Sequence, residues 1–331
     1  MAERFRVLVA DFLDDATVET PVLEDLAQIE IAGAAAESEL AGRLPGADAI
    51  ILYHDLSRLS DASLALAGRC RGIVRAGVGF NNVDIAAAGR RGIVVCNVPD
   101  YGTEEVADHS IGLMLAVARQ FHPCDAAIRA GRWDYRTALA APRLRGKTLG
   151  LVGCGRIGAA TALRAKAFGL DVVFFDPFLP DGAEKALGVR RVRRLDELMA
   201  QSLIVSLHCF LDESTRHLID AAALAAMPRG GILVNTARGP LVDQTALIDA
   251  LDSGHLLGAG IDVVEREPLD DERLRHHPRV ILTPHSAFYS IEGFVELRRK
   301  TAEEVRRLLT GEPPRNPVNG PLVVNPRARM S

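Results

Sequence analysis

The stretch "LGLVGCGRIGAA", Leu149 to Ala160, holds three glycines, Gly153, Gly155 and Gly158, within six residues. An apolar run precedes these glycines and an alanine-rich run follows them, which favours a strand, a tight turn and a helix. A glycine-rich turn alone is a weak signal, because tight strand-to-helix connections are common. The residues around it therefore decide whether the glycines serve a ligand.

The context of the turn is that of a βαβ unit that binds a dinucleotide. The apolar strand 148–152 leads into it, and Asp176 follows Gly153 by 23 residues, at the end of "DVVFFD". In such units the first glycine permits a sharp turn, the second lets a pyrophosphate approach the backbone amides, and the third lets helix and strand pack closely. The N-terminus of the helix favours the negative charge. We therefore expect a pyrophosphate against Gly155.

Asp176 indicates which dinucleotide binds. A carboxylate here is expected to accept hydrogen bonds from both adenosine ribose hydroxyls and to repel a 2′-phosphate. The next residues, Pro177 and Phe178, supply no compensating cation. The predicted cofactor is therefore NAD rather than NADP, and Arg156 and Ile157, which begin the helix, are counted among its binding residues.

The pattern on both sides of the turn predicts two parallel-sheet α/β domains, which suits a chain of 331 residues. Short apolar runs alternate with helical segments up to about residue 98, as "RVLVADF", "AIILYH", "GIVRAG" and "IVVCNV". A long helix is predicted from about Thr103 to Arg119, and a last one over about 291–310. Between them a second series of strands reads "TLGLVG", "DVVFFD", "LIVSLHC", "GILVNTA", "GAGIDVV" and "VILTPH".

Composition narrows the class of protein. The net charge of -4 is spread over both halves, which argues against a nucleic-acid or anionic-membrane partner. Five cysteines without a C-x-x-C pair indicate reduced thiols in a cytoplasmic protein. Asp11 breaks the first apolar run, which therefore predicts a strand and not a signal peptide. No apolar run approaches the roughly 20 residues of a membrane-spanning helix, so we expect a soluble protein.

Three later stretches, "NTARGPLVD", "EREP" and "TPHSAFYS", place polar groups just beyond strand ends. Open α/β sheets bind their ligands there. Taken singly, Arg238 could be a surface cation, Glu267 a loop carboxylate and His285 an ordinary hydrogen-bonded histidine. Buried together beside a nicotinamide, they would provide an anchor for an oxoacid, a carboxylate partner for an imidazole, and a proton donor.

With these motifs the sequence resembles the D-isomer-specific 2-hydroxyacid dehydrogenase family, and within it the C-terminal binding protein branch most closely. The resemblance covers almost the whole chain, including "RAGVGFNNVDIAAAGRRGIVVCNVPDYGTEEVADHS" and "HLIDAAALAAMPRGGILVNTARGPLVDQTAL". It implies an NAD-dependent oxidoreductase that interconverts a 2-oxoacid and a D-2-hydroxyacid by hydride transfer at C2. Arg238 would hold the carboxylate and polarise the carbonyl, His285 would exchange the proton, and Glu267 would keep His285 protonated for reduction.

The same resemblance implies further cofactor contacts. Asp262 would meet the nicotinamide carboxamide, and the cofactor cleft would be lined by His208, Cys209, Thr215, Thr236 and Ala237. Metal ligation by His208 and Cys209 is the poorer interpretation, because neighbours in a strand point to opposite faces. No metal is predicted.

The resemblance also implies the domain organisation of formate and glycerate dehydrogenases, two Rossmann-like or flavodoxin-like domains with the cofactor domain inserted into the substrate domain. Residues 1–98 and 289–331 would form the substrate domain, and residues 99–288 the NAD-binding Rossmann domain. The loop "RAGVG" would bind the substrate carboxylate, although it could be an ordinary glycine turn. The residues expected to bind substrate are His54, Arg75, Gly77, Val78, Gly79 and Phe288.

Two questions stay open at this level. Close members of the C-terminal binding protein branch carry tryptophan where this chain has Phe288, so the preference of the pocket is undecided among 2-oxoacids. An alternative function is an NADH-responsive, corepressor-type interaction protein with little turnover. The helix 103–119 and the loop of Trp133 predict a homodimer, unless the helix only packs inside its own domain.

Overall fold

The computed structural model describes residues 4–328 of the chain. Their contacts divide the chain into two compact units. The first unit takes the chain up to Gly102 and from Ser290 onward, and the second is Thr103–Tyr289. The sequence predicts boundaries at 98/99 and 288/289. The assignment of substrate to one unit and cofactor to the other stays a prediction.

Each unit is built on one parallel sheet. The sheet of the first unit has the order β2-β1-β3-β4-β5, and that of the second has the order β12-β11-β10-β9-β6-β7-β8. The predicted fold class is therefore confirmed. The strands within residues 4–328 are β1 Phe5–Val9, β2 Ala27–Ile31, β3 Ala49–Leu52, β4 Gly72–Arg75, β5 Val94–Asn97, β6 Thr148–Val152, β7 Asp171–Phe175, β8 Arg190–Arg191, β9 Ile204–Leu207, β10 Gly231–Asn235, β11 Leu256–Ile261 and β12 Val280–Leu282.

The helices lie between these strands in the chain, as parallel pairing requires. Those in the described part are α1 Thr20–Leu23, α2 Asp61–Leu66, α3 Ile85–Arg90, α4 Thr103–Ala118, α5 Phe121–Arg129, α6 Arg156–Ala167, α7 Ala183–Leu187, α8 Leu195–Gln201, α9 Ala221–Ala226, α10 Gln244–Asp252, α11 Glu272–Arg275 and α12 Ile291–Thr310. Within residues 4–328, none of them is long and apolar enough to cross a membrane.

Both faces of the seven-stranded sheet are covered, which explains why its central strands read as continuous apolar runs. Side chains of β10 alternate between two apolar clusters, since Leu233 lies in one, and Ile232 and Val234 lie in the other. Helices α8, α9 and α10 contribute to the cluster of Leu233, and α4 and α6 contribute to the opposite one. The sheet therefore holds the second unit together from its middle.

The two long predicted helices form where the sequence places them. Helix α12 begins after Ser290, whose hydroxyl oxygen accepts the amide N–H of Gly293 at 2.8 Å, and ends at Gly311 in the left-handed region. Helix α4 covers the predicted segment, and its apolar face is buried on the sheet of its own unit through Ile111, Met114 and Val117. This face of α4 is therefore unavailable for a dimer contact.

Two strands, β2 and β8, were not predicted from the sequence. Both are edge strands, so only one neighbour stabilises each of them. Strand β2 buries only its first residue, and β8 is a pair of arginines. Neither has the apolar run that marks the central strands.

We expect Asp11→Ala to lower the free energy of unfolding by about 2–6 kcal/mol, because it leaves two buried N–H groups without an acceptor at roughly 1–3 kcal/mol each. The Asp11 carboxylate is fully buried after β1 and accepts the amide N–H of Tyr53 at 2.6 Å and of Leu56 at 2.9 Å. Urea denaturation measures the loss. The exposed Asp14 provides the control Asp14→Ala, and equal losses in the two variants would contradict the argument.

Candidate active site

The glycine-rich turn joins β6 to α6, and two of its glycines are required by the protein itself. Gly153 has a φ of +90°, and a Cβ there would lie 2.7 Å from backbone atoms of His208 and Cys209. A Cβ on Gly158 would lie 2.4 Å from the carbonyl oxygen of Gly153. Both positions therefore need glycine for packing, whatever binds nearby.

Gly155 differs from these two, because a Cβ there would meet no protein atom within 4 Å. It is the N-cap residue of α6 and its lack of a side chain leaves the first amides of the helix without a side-chain cap. Arg156 and Ile157 are the first residues of that helix. Open space at an uncapped helix N-terminus fits the pyrophosphate of a dinucleotide.

Asp176 lies directly after β7, beside this turn. Its carboxylate accepts amide N–H groups from Cys154 and Phe178, each at 2.9 Å, and from Leu179 at 3.2 Å. The bond to Cys154 ties the carboxylate to the glycine-rich turn. Asp176 is therefore held in one place by backbone groups, as a residue that selects a ribose should be.

The two thiols and the imidazole next to the turn are uncharged at neutral pH. Burial, assisted by the negative charge of Asp176, raises the pKa of the Cys154 and Cys209 thiols to about 12. Burial lowers the pKa of His208 to about 4, and its Nε2 lies 2.9 Å from the hydroxyl oxygen of Ser206. Neither thiol thus adds a negative charge that would repel a phosphate.

An exposed aromatic pair, Phe178 and Phe210, was not identified as a pair from the sequence. The two rings follow β7 and β9, their centroids are 5.3 Å apart, and they are 72% and 52% exposed. Exposed rings of this kind offer a flat apolar surface to a planar base. In the sequence, an aromatic residue stands a few positions after each of these strands. The two residues can be recognised as a pair only when both strands are known to end at the same edge of the sheet.

The remaining predicted cofactor residues also follow strand ends. The Thr215 hydroxyl donates to the carbonyl oxygen of Phe210 at 3.0 Å, which fixes the loop after β9. After β10, the hydroxyl of Thr236 lies 2.7 Å from that of Ser110 on α4, and the Ala237 amide donates to the side-chain oxygen of Asn235 at 3.0 Å. These residues lie at the carboxyl edge of the same sheet as the turn.

Asp262, after β11, organises the segment that carries His285. Its carboxylate accepts the Thr283 hydroxyl at 2.5 Å and the amides of Ser286 and Ala287 at 2.9 and 3.0 Å. Its carbonyl oxygen accepts the amide of His285 at 2.8 Å. Asp262 therefore anchors the segment of His285, a structural role that was not predicted from the sequence.

Glu267 and His285 form a hydrogen-bonded pair, with Nδ1 of His285 2.8 Å from a carboxylate oxygen of Glu267. The backbone of His285 is left-handed, with a φ of +54°, which is uncommon outside glycine and frequent at functional sites. The side chain of His285 keeps 27% of its surface exposed, and that of Glu267 keeps 41%. Glu267 is the more exposed of the two, because it lies in a loop beyond the strand end.

Arg238 lies after β10, and its carbonyl oxygen accepts the side-chain N–H of Asn235 at 2.9 Å. Partial burial acts to raise the pKa of Glu267, but the hydrogen bond and charge of His285, the amide of Val264 and the charge of Arg238 outweigh it and lower that pKa. Glu267 is therefore a carboxylate at neutral pH. The ring of Phe288 meets that of His285 edge to face, with centroids 6.4 Å apart.

The residues predicted to bind substrate in the first unit lie after β3 and at the end of β4 or after it. The ring of His54 packs on Phe12 with centroids 4.6 Å apart. Arg75 is 8% exposed and donates to the carbonyl oxygen of Ala76 at 3.0 Å. Its guanidinium lies over Gly77, where a Cβ would be 1.8 Å from Nη1. The loop continues with Val78, which is 37% exposed, and with Gly79.

Comparison with known proteins gives the family. Residues 111–287 match the NAD-binding domain of D-isomer-specific 2-hydroxyacid dehydrogenases. The chain belongs to this family. The recognition made from the sequence is confirmed at this level.

Individual members of the family are similar over most of this chain. It is 36% identical over 316 residues to D-3-phosphoglycerate dehydrogenase of Methanocaldococcus jannaschii and 38% identical over 306 residues to that of Mycobacterium leprae. These alignments cover 96% and 92% of this chain, which spans 60% and 57% of the two relatives. The structure of D-lactate dehydrogenase from Aquifex aeolicus, complexed with NAD and lactic acid, aligns with a TM-score of 0.84 and 28% identity, covering 92% of this chain and 96% of the other.

Proposed function

We propose that the protein is an NAD-dependent D-2-hydroxyacid dehydrogenase that interconverts a 2-oxoacid and a D-2-hydroxyacid. The observation that carries this proposal is the hydrogen bond between Glu267 and His285, with the charge of Arg238 acting on the same carboxylate. An imidazole, its anionic partner and a guanidinium are the groups that proton exchange with an oxoacid requires. Membership of the family supports the same activity.

In the direction of reduction, protonated His285 donates the proton of its Nε2 to the carbonyl oxygen of the substrate. Glu267 accepts the other ring N–H, fixes the orientation of the imidazole and places a carboxylate beside it. Arg238 holds the substrate carboxylate by two parallel N–H contacts and polarises the carbonyl. In oxidation the neutral imidazole takes the proton back.

The cofactor residues have separate tasks in this proposal. When bound, NADH supplies the hydride that the carbonyl carbon accepts. The amides after Gly155 hold the pyrophosphate, Asp176 accepts the ribose hydroxyls, and the aromatic pair Phe178 and Phe210 packs on the adenine. Asp262 fixes the loop of His285 and meets the carboxamide. The predicted contacts of His208, Cys209, Thr215, Thr236 and Ala237 belong to the same proposal.

We propose that the loop after β4 binds the substrate carboxylate through Arg75 and the amides of Gly77, Val78 and Gly79. His54 and Phe288 would contact the rest of the substrate. The side chain of Arg75 is tied to this loop by its hydrogen bonds to Ala76 and to Asn82, the latter at 3.4 Å.

Turnover of 2-oxoacids tests the function. NADH absorbance is followed with a panel that includes pyruvate, glyoxylate, hydroxypyruvate and phosphohydroxypyruvate, and the reverse reaction is followed with D- and L-2-hydroxyacids and with phosphite and formate. We expect turnover of at least one 2-oxoacid and of the D-isomer alone. The closer likeness to the C-terminal binding protein branch stays a prediction. Tight NADH binding without turnover of any acid would favour the interaction protein of that branch.

We expect a preference for NADH over NADPH that Asp176→Ser weakens. The Asp176 carboxylate repels a 2′-phosphate, and like charges brought together cost several kcal/mol, so the ratio of the two kcat/KM values should fall by about tenfold or more. Steady-state kinetics with both cofactors measures the ratio. Asp171→Ser, at the opposite end of β7, is the matched control. Faster turnover with NADPH by the parent enzyme would refute the selectivity.

We also propose a homodimer that uses the exposed apolar residues after α4. Trp133 is 90% exposed and Tyr135 82% exposed, and three further exposed side chains of the segment are Phe121, Ile128 and Leu139. Light scattering at micromolar concentration should give twice the chain mass of 35.6 kDa. Trp133→Ala should shift the equilibrium toward monomer, whereas Ile291→Ala, which alters a 73% exposed residue outside this segment, should not. A monomeric parent, with or without NADH, would refute the dimer.

We propose a cytoplasmic location, on the evidence of the cysteines. All five lie in the described part of the chain as free thiols, and three of them are buried. Reduced thiols are typical of a reducing compartment. Localisation of a fluorescent fusion in the source cell tests this proposal.

A further inference from the structure

A second histidine–glutamate pair lies next to the first. Nε2 of His217 is 2.5 Å from a carboxylate oxygen of Glu265, and the two side chains are 38% and 30% exposed. Glu265 precedes Glu267 by two residues, so carboxylates of one short loop are each held by a histidine from a different segment. His217, like His285, has a left-handed backbone, with a φ of +51°.

The backbone of His217 is tied to the segment that follows Arg238. Its amide donates to the carbonyl oxygen of Pro240 at 2.8 Å. The pairing continues with the amide of Ile219 and the carbonyl oxygen of Leu241 at 3.0 Å. His217 therefore connects two loops: its backbone holds the loop of Arg238, and its imidazole holds the loop of Glu267.

The two connected loops are also in direct backbone contact, at Gly239. A Cβ on Gly239 would lie 1.8 Å from the carbonyl oxygen of Val264 and 2.6 Å from the amide nitrogen of Glu265. The amide of Val264 in turn donates to the Glu267 carboxylate at 3.3 Å. A shift of Glu265 would therefore move the backbone group that orients Glu267.

We propose that His217 and Glu265 are positioning residues that hold the loop of Glu267 against the segment of Arg238, so that Glu267 meets His285. The proposal rests on the proposed function, because it assigns these two residues to the same catalytic group. The charges of His285 and Arg238 act on Glu267 directly, whereas the imidazole of His217 contacts Glu265 in the same loop. An exposed ion pair without this role would contribute little to stability or to catalysis.

Four variants separate a positioning role from an ordinary surface ion pair. H217N removes the imidazole and keeps a residue that tolerates the left-handed backbone. E265A removes the carboxylate, and E265Q keeps an oxygen that can still accept the imidazole N–H. H276A is the matched control, because His276, the residue after α11, forms an exposed pair with Glu272 at 3.0 Å in the same unit.

The first readout is kinetic. In H217N and E265A we expect kcat for reduction of the best 2-oxoacid to fall about tenfold, since small displacements of catalytic groups can cost up to about 10²-fold. The KM for NADH should stay within about twofold. E265Q should retain most of the activity, H276A all of it, and the double variant H217N/E265A should lose no more than either single variant.

The second readout needs no turnover. NMR titration of the His285 ring C–H should give a lower midpoint in E267Q than in the parent, and midpoints between these two in H217N and E265A. If H217N and E265A match the parent in kcat and titration, or lose kcat with an unchanged titration, the proposal is overturned. A parent without turnover whose titration still responds to H217N would instead refute the dehydrogenase and support the positioning role. Should E265A fail to fold, H217N and E265Q decide.

Discussion

Replacing His285 by Gln should lower kcat for 2-oxoacid reduction by about 10²–10⁴-fold, the usual contribution of a general acid or base. The glutamine would keep a polar side chain of similar length but could not carry the proton. The affinity for NADH should be nearly unchanged, because the backbone of this residue is held by Asp262 and the glycine-rich turn lies elsewhere on the sheet edge. NADH absorbance measures kcat, and a fluorescence titration of NADH measures the dissociation constant.

The control is His276→Gln, which alters an exposed histidine that is 3.0 Å from Glu272 and should leave both constants unchanged. A His285→Gln enzyme that reduces the best 2-oxoacid at nearly the parent rate would refute the mechanism. Weaker NADH binding with unaltered kcat would place His285 in cofactor binding instead.

The pH dependence of hydroxyacid oxidation gives a companion result for Glu267. His285 must be unprotonated to accept the proton, so the rate falls on the acidic side as the imidazole becomes charged. Because the lowered pKa of Glu267 keeps it anionic, Glu267→Gln removes a negative charge from the imidazolium. The acidic limb should therefore move to lower pH in the variant. A limb that stays in place or moves up would contradict the pairing.

Gly155→Ala should weaken NADH binding by about tenfold or more, which corresponds to about 1.4 kcal/mol or more. A Cβ at this position meets no protein atom within 4 Å, and the residue has an ordinary negative φ of -67°. The folded protein therefore tolerates alanine here. The added methyl group would occupy the space in which the pyrophosphate approaches the first amides of α6. NADH titration and thermal unfolding of the free protein measure the two effects.

Gly158→Ala is the contrasting variant, because its Cβ would lie 2.4 Å from the carbonyl oxygen of Gly153. We expect it to lower the melting temperature of the free protein, whereas Gly155→Ala should not. If Gly155→Ala binds NADH as tightly as the parent, the pyrophosphate does not approach this residue, and the assignment of the turn is wrong.

The central elements of the fold could be predicted because local sequence carries their signal. A strand covered on both faces is mostly apolar, as in β6 and β9, and a long amphipathic helix such as α12 shows its period and its Ser290 cap. Edge strands lack this constraint. Strand β8, Arg190–Arg191, is defined by its pairing with β7 and not by its composition, so no local pattern revealed it.

The candidate site likewise contains residues that short motifs predict and contacts that only the tertiary structure reveals. Short motifs identified Gly155, Asp176, Arg238, Glu267 and His285, because each chemistry requires a particular residue type at a fixed offset from a strand end. The sequence contained no sign of the contacts that His217 and Gly239 make with the loop of Glu267. His217 meets Glu265 across 48 positions, and Gly239 meets Val264 across 25. Parallel strands end at one edge of the sheet and bring such loops together, so these contacts follow from strand order and not from local pattern.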